Sequence, residues 1–276
     1  MKYRYSSKQY EQFLIIPLWE EKLSLFQAWN YENILSKLLK NYRYIPSESF
    51  NGKTECYCKE IPKPNFINIF DHEWENKKDI ILSRFNIKNR IDTSLITKIP
   101  ARKTIIKLLT SKESKIFLEK NHIQGNINCK VSLGLFFGEE LVAVMTFGKP
   151  RYNSSFEWEL IRFSNKLNTI VMGGASKLFK FFVIHYNPKN IISYSDNKWN
   201  KGEIYSTIGM KFSHTTVPNY WYIKGNQIFS RIKCQKSKLG KLFNQKININ
   251  ETESEIMLSN GFQKIYDSGN DVYVYS

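Results

Sequence analysis

The segment EWELIRFSNKLNTIVMGGASKLFKFFVIHYNPKNIISYSDNKWNKGEIYSTIGMKF, Glu157 to Phe212, reads as strand, glycine turn, helix, strand, helix. Trp158, Leu160, Ile161 and Phe163 make a short β-type run, and after a polar turn Gly173-Gly174-Ala175-Ser176 opens an apolar helix that stops at Asn187-Pro188. Asn190 to Tyr194 is the second strand, and a short helix then carries Tyr205 to a stop at Gly209. A diglycine between strand and helix presents bare backbone N–H groups to an anion at a helix N-terminus. The same two glycines also serve close packing or a positive φ, and both readings stand at this point.

Working outward, Ala101 to Leu109 reads as a strand, and Thr110-Ser111-Lys112-Glu113 is a capping box that opens a helix through Glu119. Lys130 to Phe137 and Glu140 to Phe147 are two β-type runs joined by Gly138-Glu139, a hairpin signal. The order is β-α-β-β-β-α-β-α, followed by aromatic strands around Tyr220-Trp221-Tyr222-Ile223, a helix over Thr252 to Ser259 and a final strand through Val272 to Tyr275. Alternating elements after an antiparallel meander predict an α/β (α+β) chain with a mixed sheet covered by helices. Asn86 to Pro100 reads as a polar connector. It places a linker at 91–100 between a smaller N-terminal α/β domain, 1–90, and a larger domain, 101–276.

Charge points to a polyanion. The chain has 276 residues, 41 Lys and Arg against 25 Asp and Glu, and a formal charge of +16, with a pI near 9.5. From Ile204 to Asn250 there is no acidic residue, while Lys211, Lys224, Arg231, Lys233, Lys236, Lys238, Lys241 and Lys246 all fall there. Such an excess fits a nucleic acid backbone; the alternative is an ordinary solvated lysine-rich surface. Tyr220, Trp221, Tyr222 and Phe229 lie among these cations, available for base stacking or for packing a hairpin core. No run approaches the roughly 18 apolar residues of a membrane span, and the first residues lack the apolar stretch of a signal peptide. A cytoplasmic protein is expected, with reduced thiols.

The N-terminal third carries the candidate metal ligands. A helix is expected over Tyr31 to Asn41, and Cys56-Tyr57-Cys58 is too tight for an ordinary zinc knuckle. A short strand over Phe66 to Phe70 runs into Asp71-His72-Glu73-Trp74, and Glu75 to Phe85 has helical spacing at Ile80, Ile81 and Phe85. Acids and a histidine at a strand's end are where metal-dependent phosphodiester chemistry collects ligands, so Asp71, His72 and Glu73 are candidates, with Asp71 and Glu73 on the metal. Asp and Glu are also the residues preferred at a helix start. His122 and His185 each sit at a helix C-terminus, where a cation interacts well with the dipole.

The order from Ala101 to Phe212 resembles the GNAT acyltransferases, in which the glycine turn after the fourth strand holds the pyrophosphate of acyl-coenzyme A. The resemblance implies that Gly173, Gly174, Ala175 and Ser176 bind the donor and that Tyr205 protonates the departing thiolate. Ile170 stands where that family has Arg or Gln. A longer resemblance, from Asn65 to the C-terminus, is to the Hef-like homing endonucleases of phages. It is carried by Ile69-Phe70-Asp71-His72-Glu73-Trp74, Phe117-Leu118-Glu119-Lys120-Asn121-His122, Met145-Thr146-Phe147-Gly148-Lys149-Pro150-Arg151, Trp158-Glu159-Leu160-Ile161-Arg162-Phe163 and Tyr266-Asp267-Ser268-Gly269-Asn270.

That family joins a Vsr-like nuclease core to a GNAT-like domain. It implies DNA as partner, Mg or Mn as cofactor, and hydrolysis at Asp71, His72, Glu73 and Glu48. It also implies a phage-encoded protein working in the bacterial host's cytoplasm. Phosphates would be held by Lys224, Arg231, Lys233, Lys236, Lys238 and Lys241. Glu48-Ser49-Phe50-Asn51-Gly52 only echoes the family's nuclease motif, with one extra residue and no Trp-His after it. The sequence therefore carries three expectations: a metal-dependent DNA endonuclease, a GNAT-like acyltransferase or base-modifying enzyme, and a DNA binder without nuclease activity.

Overall fold

The computed structural model describes residues 2–6, 13–17, 42–45, 67–90, 92–199, 202–224, 227–244, 247–248, 250–266 and 269–276. In order these form β1 (Lys2–Ser6), β2 (Phe13–Pro17), β3 (Tyr42–Ile45), β4 (Ile67–Phe70), α1 (Asp71–Asn89), β5 (Thr97–Pro100), β6 (Ile105–Leu108), α2 (Ser111–Asn121), β7 (Val131–Phe137), β8 (Glu140–Gly148), β9 (Trp158–Asn165) and β10 (Thr169–Met172). They continue with α3 (Gly174–Tyr186), β11 (Ile191–Asp196), α4 (Glu203–Thr207), β12 (Lys211–Thr215), β13 (Tyr220–Lys224), β14 (Gln227–Ser230), α5 (Lys236–Phe243), α6 (Glu253–Ser259), β15 (Gln263–Tyr266) and β16 (Asn270–Tyr275). By contacts the chain divides into two units, Met1–Asn76 with Val217–Gly269, and Lys77–Thr216 with Asn270–Ser276. Within α1 the backbone leaves helical geometry at Lys77, where the division falls.

The second unit is built on a seven-stranded mixed sheet in the order β12-β16-β11-β9-β8-β7-β6. Every neighbouring pair is antiparallel except β9 and β11, which α3 connects. A helix between two strands of one sheet is the connection that lets them run parallel. One face packs Ala143, Met145, Phe147 and Leu160 against Leu178, Phe179 and Phe182 of α3. On the other, Val144 packs with Phe117 and Leu118 of α2. The layers are thus helix, sheet, helix, and the fold class is the mixed α+β architecture that the element order and the GNAT resemblance implied.

Local chemistry explains the elements. Thr110 and Glu113 form the expected capping box, with Glu113 N donating to Thr110 Oγ1 (3.2 Å) and Thr110 N donating to Glu113 Oε2 (2.8 Å). Gly138 supplies the positive φ, +60°, that the β7–β8 hairpin needs. Three readings change. Ala101 to Leu109 is not one strand: Ala101–Lys103 is a 3-10 turn, closed when Thr104 donates to Ala101 O through N (3.0 Å) and Oγ1 (2.7 Å). The supposed polar turn before Gly173 contains β10, which pairs in parallel with β5. Asn86, read as the start of a connector, is a buried helical residue whose amide donates to Asp92 O (3.1 Å) and accepts from Asp92 N (2.8 Å).

In the first unit, β14, β13 and β15 form an antiparallel sheet. Tyr222, Cys234, Leu239, Ile256, Met257 and Phe262 make its core, with Tyr220 and Phe229 packed on it. The aromatic strand therefore belongs to a small sheet of its own, while the final strand β16 inserts between β12 and β11. The helix expected over Tyr31 to Asn41, and Cys56 and Cys58, lie outside the described residues. Thr110→Ala removes the Oγ1 arm of its box while the backbone N–H to Glu113 remains, and should lower unfolding free energy by about 1 kcal/mol, read as a shift of the urea midpoint at unchanged slope.

Candidate functional site

The parallel ladder between β9 and β11 is short. It pairs Trp158, Glu159 and Leu160 with Ile191, Ile192 and Ser193 and then stops, although β9 runs on to Asn165 and β11 to Asp196. Ser193 Oγ donates to Leu160 O (2.7 Å) at the last rung. On its other side β9 carries a bulge, since Thr146 pairs with Arg162 and Phe147 with Leu160, leaving Ile161 over. A bulge bends its strand and re-aims the side chains beyond it. The result is an opening between two strand edges in the middle of a sheet.

Unpaired buried polar atoms lie on β9, on β11 and on neighbouring β8. Asn165 Oδ1 on β9, Ser195 Oγ on β11 and Thr146 Oγ1 on β8 are buried and have no hydrogen-bond partner among the described residues. A buried hydroxyl left unpaired costs about 1–3 kcal/mol, so such atoms mark places where another donor or acceptor is wanted. Tyr205 on α4 stacks on Tyr273 (centroids 4.7 Å apart) and directs its hydroxyl to Tyr194 O at 3.5 Å. Burial pushes its pKa up, with the Ser193 hydroxyl and the Arg162 charge pulling the other way. Tyr205 thus holds its proton at neutral pH.

The geometry at the α3 N-terminus requires glycine at both positions. Gly173 has φ +76°, and a Cβ there would meet nothing closer than Ala101 Cβ at 3.7 Å, so backbone conformation alone selects glycine. At Gly174 a Cβ would come within 3.0 Å of Val171 Cβ and 3.2 Å of Leu135 Cδ1, so close packing selects it. Gly174, Ala175 and Ser176 form the first turn of α3, whose amides have no intrahelical acceptor. Lys177 Nζ donates instead to Ala101 O (2.8 Å) and Thr104 O, which fixes the 3-10 turn.

Two arginines and a carboxylate line the other face. Glu159, wholly buried, accepts from Arg151 N (2.8 Å) and from Arg151 Nε (2.9 Å). Arg162 donates through Nε to Gly125 O (3.2 Å) and through Nη1 to Ile161 O (3.0 Å). Burial, then the charge of Arg151, brings its guanidinium down to about 10, still cationic at neutral pH. His122 caps α2 through its backbone and accepts from Gln124 N at Nδ1 (3.1 Å). Burial, and then Arg162, Arg84 and Lys77, hold its pKa well below the usual value. This favours the neutral form of the ring, although a cation would interact well with the dipole at that helix end. His185 stacks on Phe181 and bonds Phe181 O at 2.8 Å.

The residues expected for metal chemistry lie at a helix start or outside the described residues. Asp71, His72 and Glu73 form the first turn of α1, and Glu48 lies outside the described residues. No group of three or more His, Cys, Asp or Glu able to hold a metal ion occurs among the described residues. The basic residues fall in the first unit. Lys224 donates to Asn260 O (3.0 Å), Arg231 lies 5.3 Å over the Tyr220 ring and Lys238 donates to Ile232 O (2.8 Å). Lys233, Lys236 and Lys241 are exposed. Tyr220, Tyr222 and Phe229 pack the core rather than stand free.

Sequence reading gave no role to Arg151, Glu159, Arg162, Asn165 or Ser195. The one available signal was an acid and an arginine three residues apart in a β-type run, Glu159 and Arg162.

No family model matches the chain, and no curated protein matches it. A solved Bacillus subtilis acetyltransferase in complex with CoA is similar to it, with a TM-score of 0.37 and 14% identity over 63% of this chain and 99% of that one. The resemblance to the Hef-like homing endonucleases, with its Vsr-like nuclease core, finds no support in these comparisons. No helix among the described residues is long and apolar enough to cross a membrane.

Glu159→Gln leaves the Arg151 charge without its counter-ion and should destabilise the protein by on the order of 3 kcal/mol, read by chemical denaturation. A second measurement concerns His122. The unfolded chain takes up its proton near pH 6.5 and the folded one does not, so stability is complete above about 6.5 and falls as pH drops below it. His122→Gln should flatten that part of the stability–pH curve.

Proposed function

We propose that the unit built on the mixed sheet is a group-transfer enzyme that moves an acyl group from a thioester of the coenzyme A type to an amine. The observation that carries this reading is the parting of β9 and β11 after three rungs. It leaves strand-edge backbone groups, together with the unpartnered Asn165 Oδ1 and Ser195 Oγ, to meet an extended ligand rich in amides. The first-turn amides of Gly174, Ala175 and Ser176 would hold the donor's phosphates, as helix N-termini do. With Ile170 in place of an arginine, this cradle works through backbone alone. The donor would supply an activated acyl group. In the net reaction a C–N bond forms, the C–S bond breaks, and the proton lost by the amine ends on the thiol. Tyr205, held protonated by burial, would donate toward sulfur.

A second reading concerns the partner. We propose that Val217–Gly269 binds DNA through backbone phosphates, supported by the acid-free run and the exposed Lys233, Lys236 and Lys241. Two acids beyond that run are engaged locally: Glu253 accepts from the Tyr220 hydroxyl (2.9 Å) and Glu255 caps α6. The acceptor amine would then belong to a base or to a DNA-bound protein. Metal-dependent DNA cleavage gains no support from the placement of Asp71 and Glu73.

Titration calorimetry with acetyl-coenzyme A is the direct test. Saturable binding that weakens on Ser195→Ala and Gly173→Val is expected; no heat up to millimolar donor would end the acyl-transfer reading. DNA affinity should fall linearly with log salt, and Lys236→Gln with Lys241→Gln should flatten that slope by about 0.9 each. An unchanged slope would remove these lysines from the interface.

A further inference from the structure

The turn after α2 holds a set of donors that the acyl-transfer reading leaves unused. Residues 122–125 are tied to both parted strands: Arg162 on β9 donates to Gly125 O (3.2 Å), and Gln124 Nε2 donates to Asp196 Oδ2 on β11 (3.0 Å). His122 lies in this bridge. Its Nδ1 accepts the Gln124 N–H, so the single proton of the neutral ring sits on Nε2. That N–H has no partner among the described residues. A general-base role is closed to this ring, because one nitrogen is occupied as acceptor and the other already carries the proton.

The charged groups that act on the ring are Arg162 from β9 and Arg84 and Lys77 from α1. Their side chains are anchored elsewhere, Lys77 on Glu119 and Arg84 over the Trp199 ring, 5.6 Å from its centroid. Of the five N–H groups of a guanidinium, Arg162 commits two, to Gly125 O and Ile161 O. A neutral N–H donor and a partly committed guanidinium therefore sit together at one end of the opening. Three cations act on the imidazole, while the nearby carboxylates of Asp196 and Glu119 are engaged by Gln124 and Lys77, which makes this a place for a ligand oxygen that is negative or can become so.

We infer that His122 Nε2–H and the uncommitted N–H groups of Arg162 form an oxyanion-binding pair for a ligand lying between β9 and β11. This rests on the acyl-transfer reading, in which the oxygen is that of the acyl carbonyl. When a nucleophile adds to that carbon, the C=O π pair moves onto oxygen; when the C–S bond breaks, the pair returns. Donors fixed beforehand stabilise the oxygen at that moment without reorganising. A neutral imidazole donates without the competing transfer of an acidic proton. His122 would thus touch the reacting group directly, while Gln124 acts as a positioning residue that sets the tautomer and ties the turn to β11.

The test uses the full chain labelled with 15N, the His122 resonances being assigned by their absence in His122→Gln. Expected are the Nε2–H tautomer, no protonation as pH falls through 6.5, and a displaced Nε2–H resonance on saturation with acetyl-coenzyme A. Thiol release from acetyl-coenzyme A, with water as acceptor, should fall on the order of 10²-fold in kcat for His122→Ala at nearly unchanged KM. His122→Gln, which retains an N–H donor, should recover part of it. An Nδ1–H tautomer, or titration near 6.5, overturns the inference. So does an Nε2–H signal unmoved by donor that calorimetry shows to bind. Absence of donor binding altogether removes the acyl-transfer reading and this one with it.

Discussion

Three rungs of parallel ladder, Trp158 to Leu160 against Ile191 to Ser193, join the two halves of the central sheet, and the site exists because they end there. The α3 crossover obliges β9 and β11 to start side by side, with Phe182 on α3 stacked on Phe147 and edge-on to Trp158. The bulge at Ile161 then turns β9 away. Backbone groups past that point cannot be left bare inside a protein. The chain answers with side chains: Ser193 takes Leu160 O, Arg162 takes Ile161 O, and Tyr205 reaches toward Tyr194 O. The atoms still unpaired, on Asn165 and Ser195, lie one on each departing strand.

The same geometry sets the electrostatics. Glu159 sits on the middle rung, fully buried, and needs Arg151 beside it to be tolerated as an anion. That pair lies within electrostatic reach of Arg162, where Arg151 lowers and Glu159 raises the guanidinium's affinity for its proton. Arg162 in turn helps keep His122 neutral and moderates the rise at Tyr205. Arg162 stays cationic throughout, and burial is the first cause of the shift at both His122 and Tyr205.

Much of the fold was legible because its signals are local. The Thr110 capping box, the Gly138 turn and the glycine start of α3 each depend on a few adjacent residues. What escaped depended on partners far away in sequence. Thr169 to Met172 is β-rich in composition, but it is a strand only because Thr97 to Pro100 lies alongside it. Asn86 looks like a connector residue, yet it is buried because Asp92 returns to both ends of its amide. The site was harder still. Gly173 and Gly174 could be picked out by type, whereas Ser195, Asn165 and Glu159 matter through burial and the end of a ladder, which no spacing encodes. His122 was legible as a helix-end residue, but its charge state was not, since Arg162, Arg84 and Lys77 come from 40, 38 and 45 positions away.

The placement of the basic residues has a structural consequence of its own. The chain leaves the mixed sheet after Thr216 and rejoins it at Asn270, and these two residues are hydrogen-bonded to each other, Thr216 N to Asn270 O at 2.8 Å and Asn270 N to Thr216 Oγ1 at 2.9 Å. Val217–Gly269 is thus an insertion between adjacent strands, closed at its base, with a core built from its own Tyr222, Leu239, Met257 and Phe262. Such an insertion can accumulate lysine on α5 without disturbing the ladder that shapes the opening, because the residues bearing charge and those bearing the sheet are different. Under the proposed function this separation is useful. A polyanion held by one part of the chain raises the local concentration of acceptor amines for the other, whereas lysines placed at the parted strands would compete with Arg151 for Glu159, a carboxylate that is wholly buried and already paired.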